Sequence, residues 1–267
     1  MVDNQSETTV SLTAKGVTLQ IGNRKIINKI TANIELGRVT VLIGPNGAGK
    51  STLIAGFAGH LSGYSGSVFL GDTELVNIPP RRLSELRAVM LQSDNIVFDF
   101  TVDDVIRMGF PITPDLSLED QAAIVNDLSR KCGVQHILGQ SILTLSGGEK
   151  QRVHFCRCLV QLWSAKPQVF DKYLLLDEPT SGQDIANELL ILRFIKDLSE
   201  RGMGILLVLH DLNLAARFGD FFLLLKNGVI LAEGDRDAIM NGELLSNVYE
   251  TPVTTEKHNG NIRIHTF

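Results

Sequence analysis

The sequence predicts an α/β fold with a mainly parallel sheet and an inserted helical lobe. Three observations predict it. Short apolar runs at 38–43, 173–176 and 205–209 suit strands buried on both faces. Helical apolar spacing follows each of the first two runs, and the residues after the third suit another helix. The stretch between the first two runs, from about 84 to 162, is patterned mainly as helix, so it reads as a lobe inserted into the strand and helix rhythm.

The elements follow in order. Residues 10–21 are rich in β-formers. Run 38–43 ends in glycine, and 44–49 is a glycine-rich loop. Leu53, Ile54, Phe57 and Leu61 then recur at helical spacing. In the middle stretch Thr101 is placed to cap a helix carrying Val105, Ile106 and Met108. Pro111, Pro114 and Ser117 punctuate a loop, and helix resumes over 121–132. Val153, Cys156, Val160 and Trp163 share one helical face that starts just after Gly147 and Gly148. Beyond run 173–176, Ile185, Leu189, Leu192 and Ile195 form a helix face, and another helix starts near Leu212 after run 205–209. Apolar runs 222–225 and 229–232 flank Asn227-Gly228, a strong hairpin turn signal.

Composition narrows the function. The 267 residues are 44% hydrophobic and 21% charged, ordinary for a globular protein. A net charge of -5 argues against a nucleic-acid partner, which draws on a basic stripe. No run supplies the roughly 18 apolar residues of a membrane span. The polar, acidic start is no signal peptide, so a cytosolic location is the default expectation, and any transport role must act through partners. Cys132, Cys156 and Cys158 are too few for a disulfide framework. Without a second ligand pair, Cys156 and Cys158 read as small helix residues rather than half a metal site.

Two motifs carry the chemistry. Gly44, Pro45, Asn46, Gly47, Ala48, Gly49, Lys50 and Ser51 fit the Walker A pattern, and Thr52 continues into the helix. Glycines let backbone N–H groups surround a polyphosphate, and the helix start adds its positive end. Lys50 would reach the β- and γ-phosphates of ATP, and the Ser51 hydroxyl would ligate Mg²⁺. The strand before and the helix after supply the context this motif needs. Further on, Asp177 and Glu178 stand at the C-terminal edge of an apolar strand, where ligands gather in open α/β sheets. Asp177 would hold Mg²⁺, and Glu178 would act as general base or position the attacking water.

Leu145, Ser146, Gly147, Gly148, Glu149, Lys150, Gln151 and Arg152 closely resemble the signature motif of the ABC ATPases. Kinases and GTPases carry Walker A without it. With it, residues 10–239 resemble one ABC ATP-binding cassette, in the order Walker A, Gln92, signature, Walker B, Asp184, His210. The resemblance implies a P-loop NTPase core with an antiparallel β subdomain and a helical lobe. The expected division is one domain over 1–267, with 1–91 and 164–267 as core plus β subdomain and 92–163 as lobe.

It also implies roles. Ser146, Gly147 and Gly148, flanked by Leu145 and Glu149, would meet the γ-phosphate of ATP held by a second copy of the chain. Two ATP molecules are then sandwiched head to tail. His210 would contact the γ-phosphate. Asp184 matches the D-loop aspartate, although Gly182 and Gln183 depart from the usual Ala-Leu and put the packing of that loop in doubt. Gln92 would touch Mg²⁺ or the attacking water and link core to lobe. Ile21 stands where many members place an aromatic residue under adenine, so stacking would give way to apolar contact.

Within the family, Arg87 to Gln92, Asp104 to Gly109 and Leu159 to Trp163 look most like the motors of importers for iron-siderophores, heme and vitamin B12, and among these the heme importers. That resemblance implies a polytopic membrane permease as partner, a periplasmic substrate-binding protein acting indirectly, and a peripheral position on the cytoplasmic face of the inner membrane. Phe98, Phe100 and Val102 could line a groove for a permease helix or could be lobe core. Residues 240–267 are too few for an added regulatory domain. The competing expectation is a soluble ABC ATPase of an iron–sulfur cluster scaffold, with the same motifs and no membrane partner. A DNA-repair or translation ATPase fits poorly with one motif set and an acidic balance.

Overall fold

The computed structural model describes residues 11–91, 97–111, 116–163, 171–258 and 261–266. Its first part contains β1 (Leu12–Ile21), β2 (Arg24–Ile34), β3 (Val39–Ile43), α1 (Lys50–Phe57), β4 (Ser65–Leu70), β5 (Thr73–Glu74), α2 (Pro80–Leu86) and β6 (Arg87–Met90). The lobe adds α3 (Val102–Arg107), α4 (Leu118–Lys131) and α5 (Gly147–Leu162). Then come β7 (Tyr173–Asp177), α6 (Ile185–Glu200), β8 (Gly204–Val208), α7 (Leu212–Phe218), β9 (Phe221–Lys226) and β10 (Val229–Asp235). The last elements are α8 (Arg236–Ile239), α9 (Gly242–Tyr249), β11 (Val253–His258) and β12 (Asn261–Thr266).

A six-stranded sheet in the order β10-β9-β3-β8-β7-β6 forms the core. Every pairing from β9 to β6 is parallel, and only the β9–β10 hairpin is antiparallel. A second, antiparallel sheet runs β2-β1-β4-β5. The apolar runs are continuous because the central strands have no solvent face. On β3, Val41 and Ile43 face the cluster containing α5 and α6, while Leu42 faces the one containing α1 and the antiparallel sheet. Leu174 and Leu176 on β7 divide from Leu175 in the same way.

Local chemistry sets the ends. Thr101 caps α3 in a capping box with Asp104, and Ser117 caps α4. Asn227 (φ 51°) and Gly228 (φ 76°) make the tight turn of the β9–β10 hairpin. The Gly228 N–H donates to Ala48 O at 2.9 Å, so this turn is docked on the phosphate loop.

Four details differ from the sequence reading. Leu61 lies beyond α1, because Gly59 (φ 71°) closes the helix: Gly59 N donates to Gly56 O and His60 N to Ala55 O. Residues 87–90, inside the stretch read as mainly helical, form edge strand β6 paired with β7. Helix α5 starts at Gly147 itself, since Ser146 is its cap, and Trp163 follows its last residue. Ile185 is 77% exposed; Ile191, Leu192, Ile195 and Leu198 form the buried face of α6 instead. Cys156 and Cys158 are buried on α5, in line with their reading as small helix residues. Among the described residues, no helix is long and apolar enough to cross a membrane.

Candidate functional site

Strand β3 delivers the phosphate loop and α1 carries it away. Gly44 has φ 148°, and a Cβ there would stand 2.0 Å from Leu225 O on the neighbouring strand. Gly49, with φ 104°, would meet Ile26 O at 2.9 Å. These glycines therefore serve close backbone approach. Gly47 (φ 75°) faces open space, and Asn46 is exposed beside it. Pro45 is half-buried and accepts from Ala48 N, while Ala48 is buried. Gly44→Ala should destabilise the fold by about 3 kcal/mol, from combined strain and overpacking. Urea unfolding checks this, and a variant within 0.5 kcal/mol of wild type, roughly the scatter of a surface change, would show that the loop can shift to accept a methyl group.

Lys50 is 7% exposed, and its ammonium donates to Gly44 O at 2.8 Å and Pro45 O at 3.1 Å. Burial lowers its pKa from the ordinary lysine value, while Glu178 and then Asp177 pull it back up. Ser51 and Thr52 follow on the first turn of α1, exposed and half-buried.

Asp177 closes β7 at 1% exposure, and neither carboxylate oxygen has a hydrogen-bond partner of good geometry. Burial raises its pKa; Ser51 and, more weakly, Lys50 draw it down. A buried carboxylate without partners is costly unless a cation or donor joins it. With the Ser51 hydroxyl beside it, this donor set suits a hard cation such as Mg²⁺. Among the described residues, no group of three or more His, Cys, Asp or Glu could hold a metal alone.

Glu178 has φ 55°, left-handed for a non-glycine residue, which costs roughly 1–2 kcal/mol. This turn presents its carboxylate to His210, whose Nε2 contacts Glu178 Oε1 directly. His210 follows β8 and precedes Asp211, whose side chain caps α7 by accepting from Asn213 N at 2.7 Å and Leu214 N at 3.0 Å. Lys50, Ser51, Asp177, Glu178 and His210 are thus brought together at the C-terminal edge of the parallel sheet.

The signature residues form a second group. Ser146 Oγ donates to Glu149 Oε2 at 2.6 Å, and Ser146 N donates to the same oxygen at 2.8 Å. This capping box draws the Glu149 carboxyl below its usual range. Leu145 and Gly148 are buried, whereas Ser146 and Gly147 are exposed, with nothing within 4 Å of a Cβ added to Gly147. A Cβ on Gly148 would lie 2.9 Å from Gly182 O, so the signature packs on the D-loop of its own chain. Gly182 adopts φ 71°, and Gln183 Nε2 donates to Pro179 O at 3.0 Å, giving the two unusual D-loop residues defined places. Asp184 caps α6 through Asn187 N at 2.9 Å and stays exposed.

Ile21 ends β1 at 65% exposure. Gln92 lies outside the described residues. Phe98 is 69% exposed, but Val102 is fully buried and belongs to the lobe core, because it opens α3 against α5. A cleft of about 640 Å³ is lined by Ser84, Met108, Phe110 and Gln161.

Sequence reasoning missed Asp211, Asn213 and Tyr249. Asp before an apolar helical run is a cap signal that would have found the first. No local pattern relates Asn213 or Tyr249 to the site, since each meets its partner across a long sequence separation.

The chain matches the family model described as "ABC transporter" over residues 27–181. It is 37% identical over 246 residues to the "Hemin import ATP-binding protein HmuV" of Rhodopseudomonas palustris strain HaA2, covering 92% of this chain and 93% of that one. The protein of the same description from Bordetella pertussis is 37% identical over 241 residues, covering 90% and 92%. Among solved structures, an ATP-binding subunit of an ABC transporter superposes with a TM-score of 0.75 at 24% identity, covering 90% of this chain and 98% of that one. A bacterial Atm1-family ABC exporter with ATP bound gives the same TM-score at 23% identity, covering 94% and 42%. An exporter sharing the fold means that fold alone does not set the direction of transport.

Proposed function

Because the chain belongs to the ABC transporter family and is an ATP-hydrolysing transporter subunit, we propose that it drives uptake of heme, or a related iron chelate, through a separate membrane permease. The observation that carries the cargo reading is its likeness to hemin import ATP-binding proteins over nine-tenths of both chains. The permease would work with two copies of this chain on the cytoplasmic face of the membrane. A periplasmic binding protein would deliver the cargo.

The mechanism follows from the two residue groups. Phosphoryl transfer to water is mainly positioning and charge stabilisation. The phosphate loop, residues 44–49, and Lys50 would hold the phosphates of ATP, with Thr52 beside them and Ile21 against the adenine. Bound Mg²⁺, held through Ser51, Asp177 and Gln92, would supply charge neutralisation at the phosphates. Glu178 would orient water in line, and His210 would turn from Glu178 toward the γ-phosphate.

The exposed Ser146 and Gly147 support completion by a second copy. Ser146 would exchange its bond to Glu149 for one to the partner's ATP, with Leu145 and Gly148 holding the helix tip in place. Asp184 would fix the D-loop between the two sites. Residues 92–163 would then act as the lobe that senses nucleotide, and 1–91 with 164–267 as the core.

The cleft lined by Met108 and Phe110 is suited to a permease helix, because it lies where core and lobe meet and Met108 is 48% exposed. The capping role of Asp104 makes charge reversal there a folding test rather than a docking test. Met108→Asp should therefore weaken binding to the permease about 30-fold while ATP binding stays within about two-fold, since one buried apolar contact is worth ~2 kcal/mol. Undiminished co-purification would move the docking surface elsewhere.

The cargo is tested by reconstituting the chain with its permease and binding protein in vesicles. Heme should stimulate ATP hydrolysis more than vitamin B12 or a ferric siderophore does. Stimulation by another cargo alone would replace heme, and isolation with a soluble scaffold instead of a permease would remove the importer reading.

A further inference from the structure

The last segment of the chain touches the site from behind. Asn213, on the first turn of α7, is bonded to β12 in both directions: its Nδ2 donates to Ile264 O at 3.1 Å, and Ile264 N donates to its Oδ1 at 2.8 Å. The amide thus pairs with the strand as a neighbouring strand would. Asn213 lies three positions after His210, and Asp211 between them caps the same helix.

The same segment reaches the phosphate loop. Tyr249, at the end of α9, is half-buried beside the Gly44 backbone, and burial pushes its phenol up to about 12. Lys226, at the end of β9, ties α9 down by donating to Asn247 O at 2.9 Å and pairing with Glu250 at 2.8 Å. A cavity of about 300 Å³ lies between His210, Asp211, Tyr249, Thr251 and Thr266. His210 is therefore backed by the C-terminal segment.

We propose that α9, β11 and β12 form a brace that holds the H-loop and the phosphate loop in register, with Asn213 and Tyr249 as its positioning residues. Neither side chain acts on nucleotide; each acts through a residue that would. Asn213 sets the α7 start and through it His210. Tyr249 sets Gly44, where the phosphate loop leaves β3. The inference rests on the reading of His210 as a γ-phosphate contact.

The two arms separate by nucleotide. A γ-phosphate contact is absent with ADP, whereas the phosphate loop holds ADP and ATP alike. Asn213→Ala in the full chain, assembled with its permease, should lower kcat about ten-fold, a loss typical of small displacements at a reacting site. It should leave the Kd for ADP within about two-fold, as no ADP contact is touched. Asn213→Asp keeps the acceptor for Ile264 N–H and should recover part of the rate. Tyr249→Ala should weaken ADP and ATP together by about five-fold, or ~1 kcal/mol of lost apolar contact beside Gly44.

His210→Ala separates the two levels of argument. If it abolishes turnover while Asn213→Ala turns over as wild type, the brace is wrong and the H-loop reading stands. If His210→Ala itself turns over normally, both fall. If Asn213→Ala loses ADP binding in step with kcat, the residue is merely structural and the proposal is overturned.

Discussion

Glu178→Gln should lower ATP turnover by about 10²–10⁴-fold while ATP binding persists, the loss expected when a positioned base is removed. The substitution is nearly isosteric, so it tests charge rather than packing. Glutamine keeps an acceptor for His210 but cannot take a proton from water. The left-handed backbone at residue 178 is unchanged by it, since glutamine bears the same strain as glutamate at φ 55°. Stability should therefore stay within about 0.5 kcal/mol of wild type, as for changes that disturb no buried packing. With ATP and Mg²⁺ the variant should elute as a dimer on size exclusion, because the closed state no longer resolves by hydrolysis. Wild-type turnover would remove Glu178 from the mechanism. A monomer with bound ATP would remove the second copy from the site.

The order of strands and helices was legible because each central strand is buried on both faces and so is wholly apolar. Lys50, Asp177, Glu178 and the signature were legible because each motif is local: the loop, strand end or helix tip that performs the task lies within a few residues. Two kinds of feature were not. The edge strand β6 is four residues long and opens on Arg87, so its apolar run is too short to stand out from the helical patterning around it. The C-terminal hairpin pairs Val253–His258 with Asn261–Thr266, and its alternation at Ile262 and Ile264 is readable in the sequence, but what it braces is not. Val102, which the sequence allows as groove lining or as lobe core, is core. It lies beside exposed Phe98 in sequence, yet the α3 capping box turns it inward onto α5. Only the packing distinguishes a lobe-core residue from a docking residue there.

Lys50→Met should abolish turnover and weaken ATP binding by about 10–100-fold, the worth of a charge-assisted bond of roughly 1.5–3 kcal/mol, yet should not destabilise the nucleotide-free protein. The second half follows from the sign of the pKa shift. Burial is the largest influence on Lys50 and lowers its pKa below 10.5; the attraction of Glu178 and Asp177 recovers only part. The lowered pKa means that the folded protein bears a cost for burying the charged form. That cost fades as pH rises through the lowered folded value toward 10.5, where the unfolded chain binds more protons than the folded one. Methionine removes the charge and keeps most of the volume. Against this, Gly44 O and Pro45 O lose a donor, but Pro45 is half-buried, so water can replace the ammonium there. The melting temperature of the nucleotide-free variant at pH 7 should thus equal or exceed that of wild type, and the difference should shrink as pH rises through the lowered folded pKa toward 10.5. Stabilisation by ATP should be smaller in the variant than in the wild type, by up to about 1.4–2.7 kcal/mol for that loss of affinity. A variant that melts lower without nucleotide would show that Lys50 holds the loop together. One that binds and hydrolyses ATP normally would remove the phosphate-loop reading altogether.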